Sequence, residues 1–381
     1  MEAIYASKKD EKIITNERLC KKMKSVLSTV PTGNVIKNYL DAYHLTQKEL
    51  STRTGISEKH LSHLLNGTSR LTEEVALKLE KVLTPVPASY WLQYETKYRE
   101  AVAREQEPVY SYSKQALQEI AKRFHFKEVF GDLGWNLEKQ ATEMLSLLQI
   151  SDYSQFGPTY AALSVSFMED GGSLEPIAIW LNLCREELEI QNEDLSLSYS
   201  ARKLEKTLNE LKHIAYEGNA SNSLLRARKL LNALGIYLVI YPAISNSKVR
   251  GALTTYKGNP AIYLSLRYKT HDHAWFALMH EIGHLLLHYE SKRTIISCEQ
   301  DESSTASQET EANQFAETFF LDTTAYEAFC NNKVFSHTEV RAFAETQHVH
   351  PGIVVSRLQH DKLIPYSHLN TLKSKITLIE A

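Results

Sequence analysis

Apolar residues recur three and four positions apart over most of the 381-residue chain, so helices dominate the expected architecture. Between residues 33 and 83 the helices should be short. In "LTQKEL", Thr46 is a candidate N-cap with Glu49 three residues on, a capping box, and Gly55 interrupts the run. "ISEKHLSHLLNG" restarts at Ser57 as N-cap and stops at Asn66-Gly67. Two short helices joined by a glycine-containing turn predict a helix-turn-helix. "SRLTEEVALKLEKVL" supplies a further amphipathic helix, and the two prolines of "TPVPAS" end it. "WLQYETKYREAVAREQ" reads as a long exposed helix.

From about residue 90 to residue 235 the pattern stays helical and carries little chemistry, with "SARKLEKTLNELKHIA" and "SLLRARKLLNAL" the clearest amphipathic stretches. After Gly235 the period changes. "IYLVIYP" and "AIYLSL" are rich in β-branched and aromatic residues, with "YKGNP" as a turn before the second, and predict a small sheet. The expected fold class is therefore mostly α (α+β): an N-terminal all-α helix-turn-helix domain, a helical connector and a C-terminal domain with a small β-sheet. The expected boundaries are an extension over 1–30, the helix-turn-helix domain over 31–105, the connector over 106–224 and the C-terminal domain over 225–381.

A formal net charge of −3 provides no global basic field, so any nucleic-acid contact must come from a local patch. No apolar run reaches the roughly 18 residues that span a bilayer, and the charged N-terminal stretch has no apolar segment of the secretory kind. The expectation is a cytoplasmic protein without membrane contact. Cys20, Cys184, Cys298 and Cys330 are far apart and form no CxxC pair, which argues against both a disulfide scaffold and a zinc ribbon.

The strongest chemical signal is "HEIGHLLLH", residues 280–288. Residues four apart on a helix share a face at about 6 Å of rise, so His280 and His284 can chelate one ion. Glu281, turned by about 100°, is placed to serve as base toward a water molecule there, the logic of a metallopeptidase H-E-x-x-H. His288 is about 12 Å of rise from His280, too far to share the ion on a straight helix. The longer HExxHxxGxxH pattern fails because Leu287 and Glu290 occupy its last two positions. A third ligand must come from elsewhere, and "SQETEANQFAETFFL" offers it. Helical projection puts Glu309 and Glu311 on opposite borders of that helix's apolar face, and geometry alone does not choose between them.

These motifs, over roughly residues 225–370 and including "HPGIVVSRLQHDKLIPYSHL", resemble the ImmA/IrrE family of zinc metallopeptidases. The resemblance implies Glu311, immediately before Ala-Asn-x-Phe-Ala, as third ligand beside His280 and His284, with one Zn2+ per chain, water in the fourth position and Glu281 as catalytic base. One departure is "FFLD" where the family continues as "LLxP". Residues 30–105 resemble an XRE-type helix-turn-helix of the HigA antitoxin kind. That resemblance implies that Ser57, Glu58, Lys59 and His63 face the bases of double-stranded DNA at the protein's own operator, while Gln47 and Asn66 serve phosphates. Few basic residues surround this helix, so a homodimer is expected. The combined expectation is an antitoxin-like transcriptional regulator whose zinc peptidase domain cleaves a regulatory protein. The alternative is a non-proteolytic repressor or antitoxin whose zincin-like domain senses a ligand, metal or stress, or grips a toxin. The edge of the "GNPAIYLSL" strand is the expected platform for an extended peptide.

Overall fold

The computed structural model describes residues 30–84, 86–105, 112–167, 173–191, 195, 197–217, 220–290, 294–298 and 307–376. The expected N-terminal extension and Cys20 lie outside the described residues. The chain divides into two compact units, Met1–Ser113 and Lys114–Ile379.

Among its described residues the N-terminal unit has five helices: α1 (Thr32–Ala42), α2 (Gln47–Thr54), α3 (Glu58–Leu65), α4 (Glu73–Val82) and α5 (Ala88–Glu105). Local chemistry explains their limits. Thr46 and Glu49 form a reciprocal capping box at the start of α2, and Gly55 ends it in the left-handed conformation, φ 68°. Ser57 accepts from the His60 amide to start α3, and Thr72 does the same for α4 from Val75. Ile36, Leu50, Leu61 and Leu79 fill the core with Trp91. That last residue corrects the sequence reading: α5 is not simply an exposed helix. Its first turns bury Trp91 against the edge of Tyr39, ring centroids 5.1 Å apart, and Glu95 is also buried.

The C-terminal unit surrounds a four-stranded sheet of β1 (Tyr237–Ile240), β2 (Val249–Tyr256), β3 (Asn259–Leu264) and β4 (Ile295–Cys298), in the order β1-β3-β2-β4. β1 pairs with β3 in parallel, and β2 is antiparallel to both β3 and β4. The β2–β3 turn uses Lys257 and Gly258 at φ 46° and 85°, as tight hairpins require. β3 is thus paired on both sides, so the expected peptide platform is an interior strand with no free edge; β4 is the edge strand on that side of the sheet. Neither β2 nor β4 stood out in the hydrophobic pattern, because Arg250 and Gly251 interrupt the first and the second is only four residues long.

Helix α13 (His271–Leu287) crosses the sheet, and α14 (Ser307–Phe320) and α17 (Pro351–His360) pack on it. Trp275, Leu278, Met279 and Ile282 are wholly buried in one core with Leu204 and Leu211 of α11 (Ala201–Tyr216) and Leu231 of α12 (Ala220–Ala233). α12 ends in a Schellman motif: the Ile236 amide reaches Leu231, the Gly235 amide reaches Asn232, and Gly235 takes φ 77°. The helices between residues 114 and 191, expected as part of a connector, belong to this unit. In α10 (Leu174–Gln191), Trp180 donates its indole N–H to the Tyr241 carbonyl at 3.1 Å and meets the Tyr263 ring edge-on.

The start of α13 is pinned by buried charge. Asp272 accepts from Ser356 of α17 and pairs with Lys373 at 3.2 Å, while the His271 amide donates to the Ser374 carbonyl at 2.9 Å. His271 itself is wholly buried, with its ring 4.7 Å from that of His350. Burial first, and the neighbouring His350 second, pull its pKa from 6.5 down to about 4.

The unfolded chain therefore binds a proton near pH 6.5 that the folded protein refuses until about pH 4. Stability should rise with pH across that window, by about 3 kcal/mol from this group. Urea denaturation of the full chain at pH 4.5 and pH 7.5 checks this: His271→Leu should lose most of the difference that the wild type shows.

Candidate metal centre and DNA-reading helix

The site is set by how closely α14 approaches α13. A Cβ at Gly283 would lie 3.2 Å from both the Ala312 Cα and the Phe315 ring, so the absent side chain lets the helices meet at Gly283 and Ala312. That crossing carries Glu309 to the imidazoles. Its Oε2 lies 3.2 Å from His280 Nε2 and its Oε1 lies 3.0 Å from His284 Nε2, and the two Nε2 atoms are 3.1 Å apart. His280, His284 and Glu309 form a group able to hold a metal ion, with ligand atoms all within 4.8 Å of one another. Burial pushes the Glu309 carboxyl up, but hydrogen bonds from the two histidines prevail and hold it at about 2.

Glu311, the expected third ligand, is elsewhere. Two residues along a helix is a rotation of about 200°, so Glu309 and Glu311 cannot face one point. Glu311 is on the exposed side, with Oε2 3.0 Å from His288 Nε2. His288 Nδ1 in turn lies 3.1 Å from His284 Nδ1. For His284 to offer a lone pair at Nε2, its Nδ1–H must donate to His288, whose Nε2–H then donates to Glu311. On the other side, His280 Nδ1 is 2.9 Å from the Asn313 Oδ1, which leaves Nε2 as its lone-pair nitrogen. Glu311 and Asn313 thus orient the two imidazoles from behind.

Glu281 is wholly buried. Neither of its carboxylate oxygens has a hydrogen-bond partner among the described residues, nor does the Ser297 hydroxyl of β4. Burial pushes the carboxyl up to about 8, offset only in part by the neighbouring His284. A glycine makes room for it: a Cβ on Gly251 would stand 2.5 Å from Glu281 Oε1. Gly251 sits within β2 at a register shift between β2 and β4. A cleft of about 20 Å³, enough for an ion or a water molecule, is lined by His280, Glu281, Ser297, Glu309, Arg250 and Asn313, among others. Two converged imidazoles, a carboxylate and an orphaned buried acid fit a metal ion with a reactive water. Arg250, Ser297 and Asn313 went unnoticed in the sequence because each lies outside the H-E-x-x-H string; only Asn313 was inside a motif already quoted.

In the N-terminal unit, Leu61, Leu64 and Leu65 turn α3 inward, leaving Ser57, Glu58, Lys59, His63 and Asn66 exposed. Lys59, His63 and Asn66 share the face opposite the leucines. Ser57 is engaged as the N-cap. His63 Nδ1 contacts the Thr68 hydroxyl at 3.0 Å, and Gln47 donates to the Glu58 carbonyl at 3.1 Å, tying α2 to α3. Lys37, which the sequence reading passed over, donates to Asn66 at 3.3 Å. After α14, Asp322 of the divergent "FFLD" caps α15 (Thr323–Asn331) by accepting from the Ala325 amide.

Residues 232–359 match the M78 peptidase family model, the IrrE N-terminal-like domain. The match spans the sheet, the H-E-x-x-H helix and α14. Residues 36–91 match a helix-turn-helix family model. No curated protein matches the chain. The IrrE-like domain thus accounts for the clustered histidines, and the helix-turn-helix for the capped helix pair. Among the described residues no helix is long and apolar enough to cross a membrane.

The two glutamates of α14 separate cleanly by experiment. Glu309→Gln should abolish stoichiometric metal binding, measured by elemental analysis after dialysis. Glu311→Gln should keep one metal per chain and weaken affinity about tenfold, because it only orients His284 through His288. The reverse pattern would restore Glu311 as the ligand.

Proposed function

We propose that this chain is a DNA-binding transcriptional regulator whose IrrE-like domain is a zinc endopeptidase acting on a regulatory protein. The observation that carries the reading is Glu281: a buried, unpartnered carboxyl beside His280, His284 and Glu309. A purely structural metal needs no such acid, and an unpaired buried carboxyl is costly to keep. In this reading the three ligands hold one zinc ion, which when bound polarises the scissile carbonyl and acidifies water. Glu281 takes the proton of the attacking water and passes it to the leaving amine. Burial raises its pKa, and a bound cation would draw that value down. Gly251 keeps the carboxyl in place, Asn313 and His288 hold the imidazoles, and Ser297 brings the edge strand β4 to the cleft. An extended peptide paired against β4 would pass the site, the role first expected of β3.

At the other end, α3 enters the major groove, with Ser57, Glu58, Lys59 and His63 toward base edges and Gln47 and Asn66 toward phosphates. An antitoxin role, a toxin partner and a homodimer on a two-fold operator belong to the same proposal, and the modest number of cations on α3 favours the homodimer.

Glu281→Gln should retain zinc and DNA binding and lose cleavage of the partner protein. The measurement is partner lifetime, with a reporter on the protein's own promoter, in cells carrying the neighbouring gene products. Identical lifetimes and reporter responses for wild type and variant under every inducing stress would defeat the peptidase reading. Lys59→Ala with His63→Ala should abolish the operator footprint, each lost base contact costing about 1–3 kcal/mol, with the circular dichroism spectrum unchanged.

A further inference from the structure

A second cavity, of about 840 Å³, opens beside the metal cleft. The two share Arg250, Phe276, Ala277 and Asn313, so the larger one adjoins the metal cleft along that wall. It runs back along the first half of α13 as far as Thr270 and out to Lys373 and Lys375. Its volume suits several side chains rather than an ion.

The lining is unequally charged. Arg250, Arg267, Lys269, Arg357, Lys373 and Lys375 face two carboxylates, Asp272 and Glu317. Both carboxylates are engaged within the protein: Asp272 by Lys373 at 3.2 Å, and Glu317 by Arg357 at 2.7 Å. The chain as a whole has more acids than bases, so this excess of cations is a local arrangement and not a reflection of composition. Leu264, Leu266, Phe320 and Ile353 supply apolar wall, and the exposed Tyr268 and Tyr366 also border the space.

We infer that this cavity is the specificity subsite of the peptidase and selects an acidic segment of the substrate protein next to the scissile bond. The inference rests on the peptidase reading and adds its substrate class. Cationic walls supply the complement to Glu and Asp side chains, and field lines are focused by the low-dielectric floor. The apolar wall accommodates the aliphatic residues between those acids. A small inorganic anion would use the charge and leave most of the volume and the apolar wall unmatched. A peptide uses all three features, and its backbone continues into the metal cleft through the side shared with Arg250 and Asn313.

The test reads binding without turnover. Zinc-loaded full-length Glu281→Gln is titrated into a fluorescein-labelled octapeptide of alternating Glu and Leu, and into its counterpart with Gln for Glu, with anisotropy as the signal. The acidic peptide should bind about tenfold more tightly, and the advantage should shrink as salt is raised. Adding Lys269→Gln and Lys375→Gln, both at exposed positions and each removing the charge while keeping a long polar side chain, should remove most of that advantage without changing binding of the Gln peptide. Equal affinity for the two peptides, or an advantage that survives the double substitution at every salt concentration, would overturn the subsite. Because cleavage is not measured, an inactive wild type would sink the peptidase reading and leave this result standing. A wild type that cleaves acidic and neutral peptides alike would do the opposite.

Discussion

The close crossing of α13 and α14 is the constraint on which the C-terminal unit depends. Two helices usually pack at 8–10 Å between axes, with side chains in between. Gly283 and Ala312 remove those side chains at one point, and only there can a carboxylate from the second helix reach two imidazoles on the first. The same contact buries Ala316 and Phe320 in the core that holds Trp275 and Ile282. Packing and chemistry therefore share a single joint, and a bulkier residue at Gly283 would move Glu309 away from the histidines as it pried the helices apart.

Around that joint the polar groups form layers of decreasing burial. Glu281 lies at the centre without a hydrogen-bond partner among the described residues, His280 and His284 come next, and Asn313, His288 and Glu311 lead outward to solvent. Such an order lets the outer groups fix ring orientation and tautomer while the inner ones stay available. Asp272 performs a different task at the far end of the same helix, tying it to α17 and to the segment around Lys373. Held at its N-terminal end by buried charge and near its C-terminal end by the crossing, α13 has little freedom to shift its histidines.

The cation-lined cavity lies between these two anchors. Its walls come from α13, α14, α17 and the loops before and after them, elements whose positions are already fixed by the core. A cavity walled by such fixed elements would lose little conformational entropy on being filled. The N-terminal unit uses the same economy on a smaller scale: leucines on one side of α3 and a capped turn before it present the exposed residues of that helix without help from a loop.

Much of this was legible in the linear sequence, and the reasons are local. Caps at Thr46 and Ser57, the left-handed Gly55, the helical spacing of His280 and His284 and the tight turn at Lys257-Gly258 are all decided within a few residues, where side-chain and backbone geometry act directly. Tertiary structure alone decided what depends on two distant segments meeting. Helical projection left Glu309 and Glu311 equivalent at the borders of one apolar face, and a family likeness pointed to Glu311. Only the angle at which α14 crosses α13 presents Glu309 to both imidazoles and turns Glu311 to His288. In the same way, strand order rather than strand composition made β3 interior and β4 the edge, because a strand's own residues do not say which neighbours will pair with it. Gly251 is a place in a strand kept bare for the carboxyl of Glu281, and that requirement exists only once the sheet and the helix are packed together.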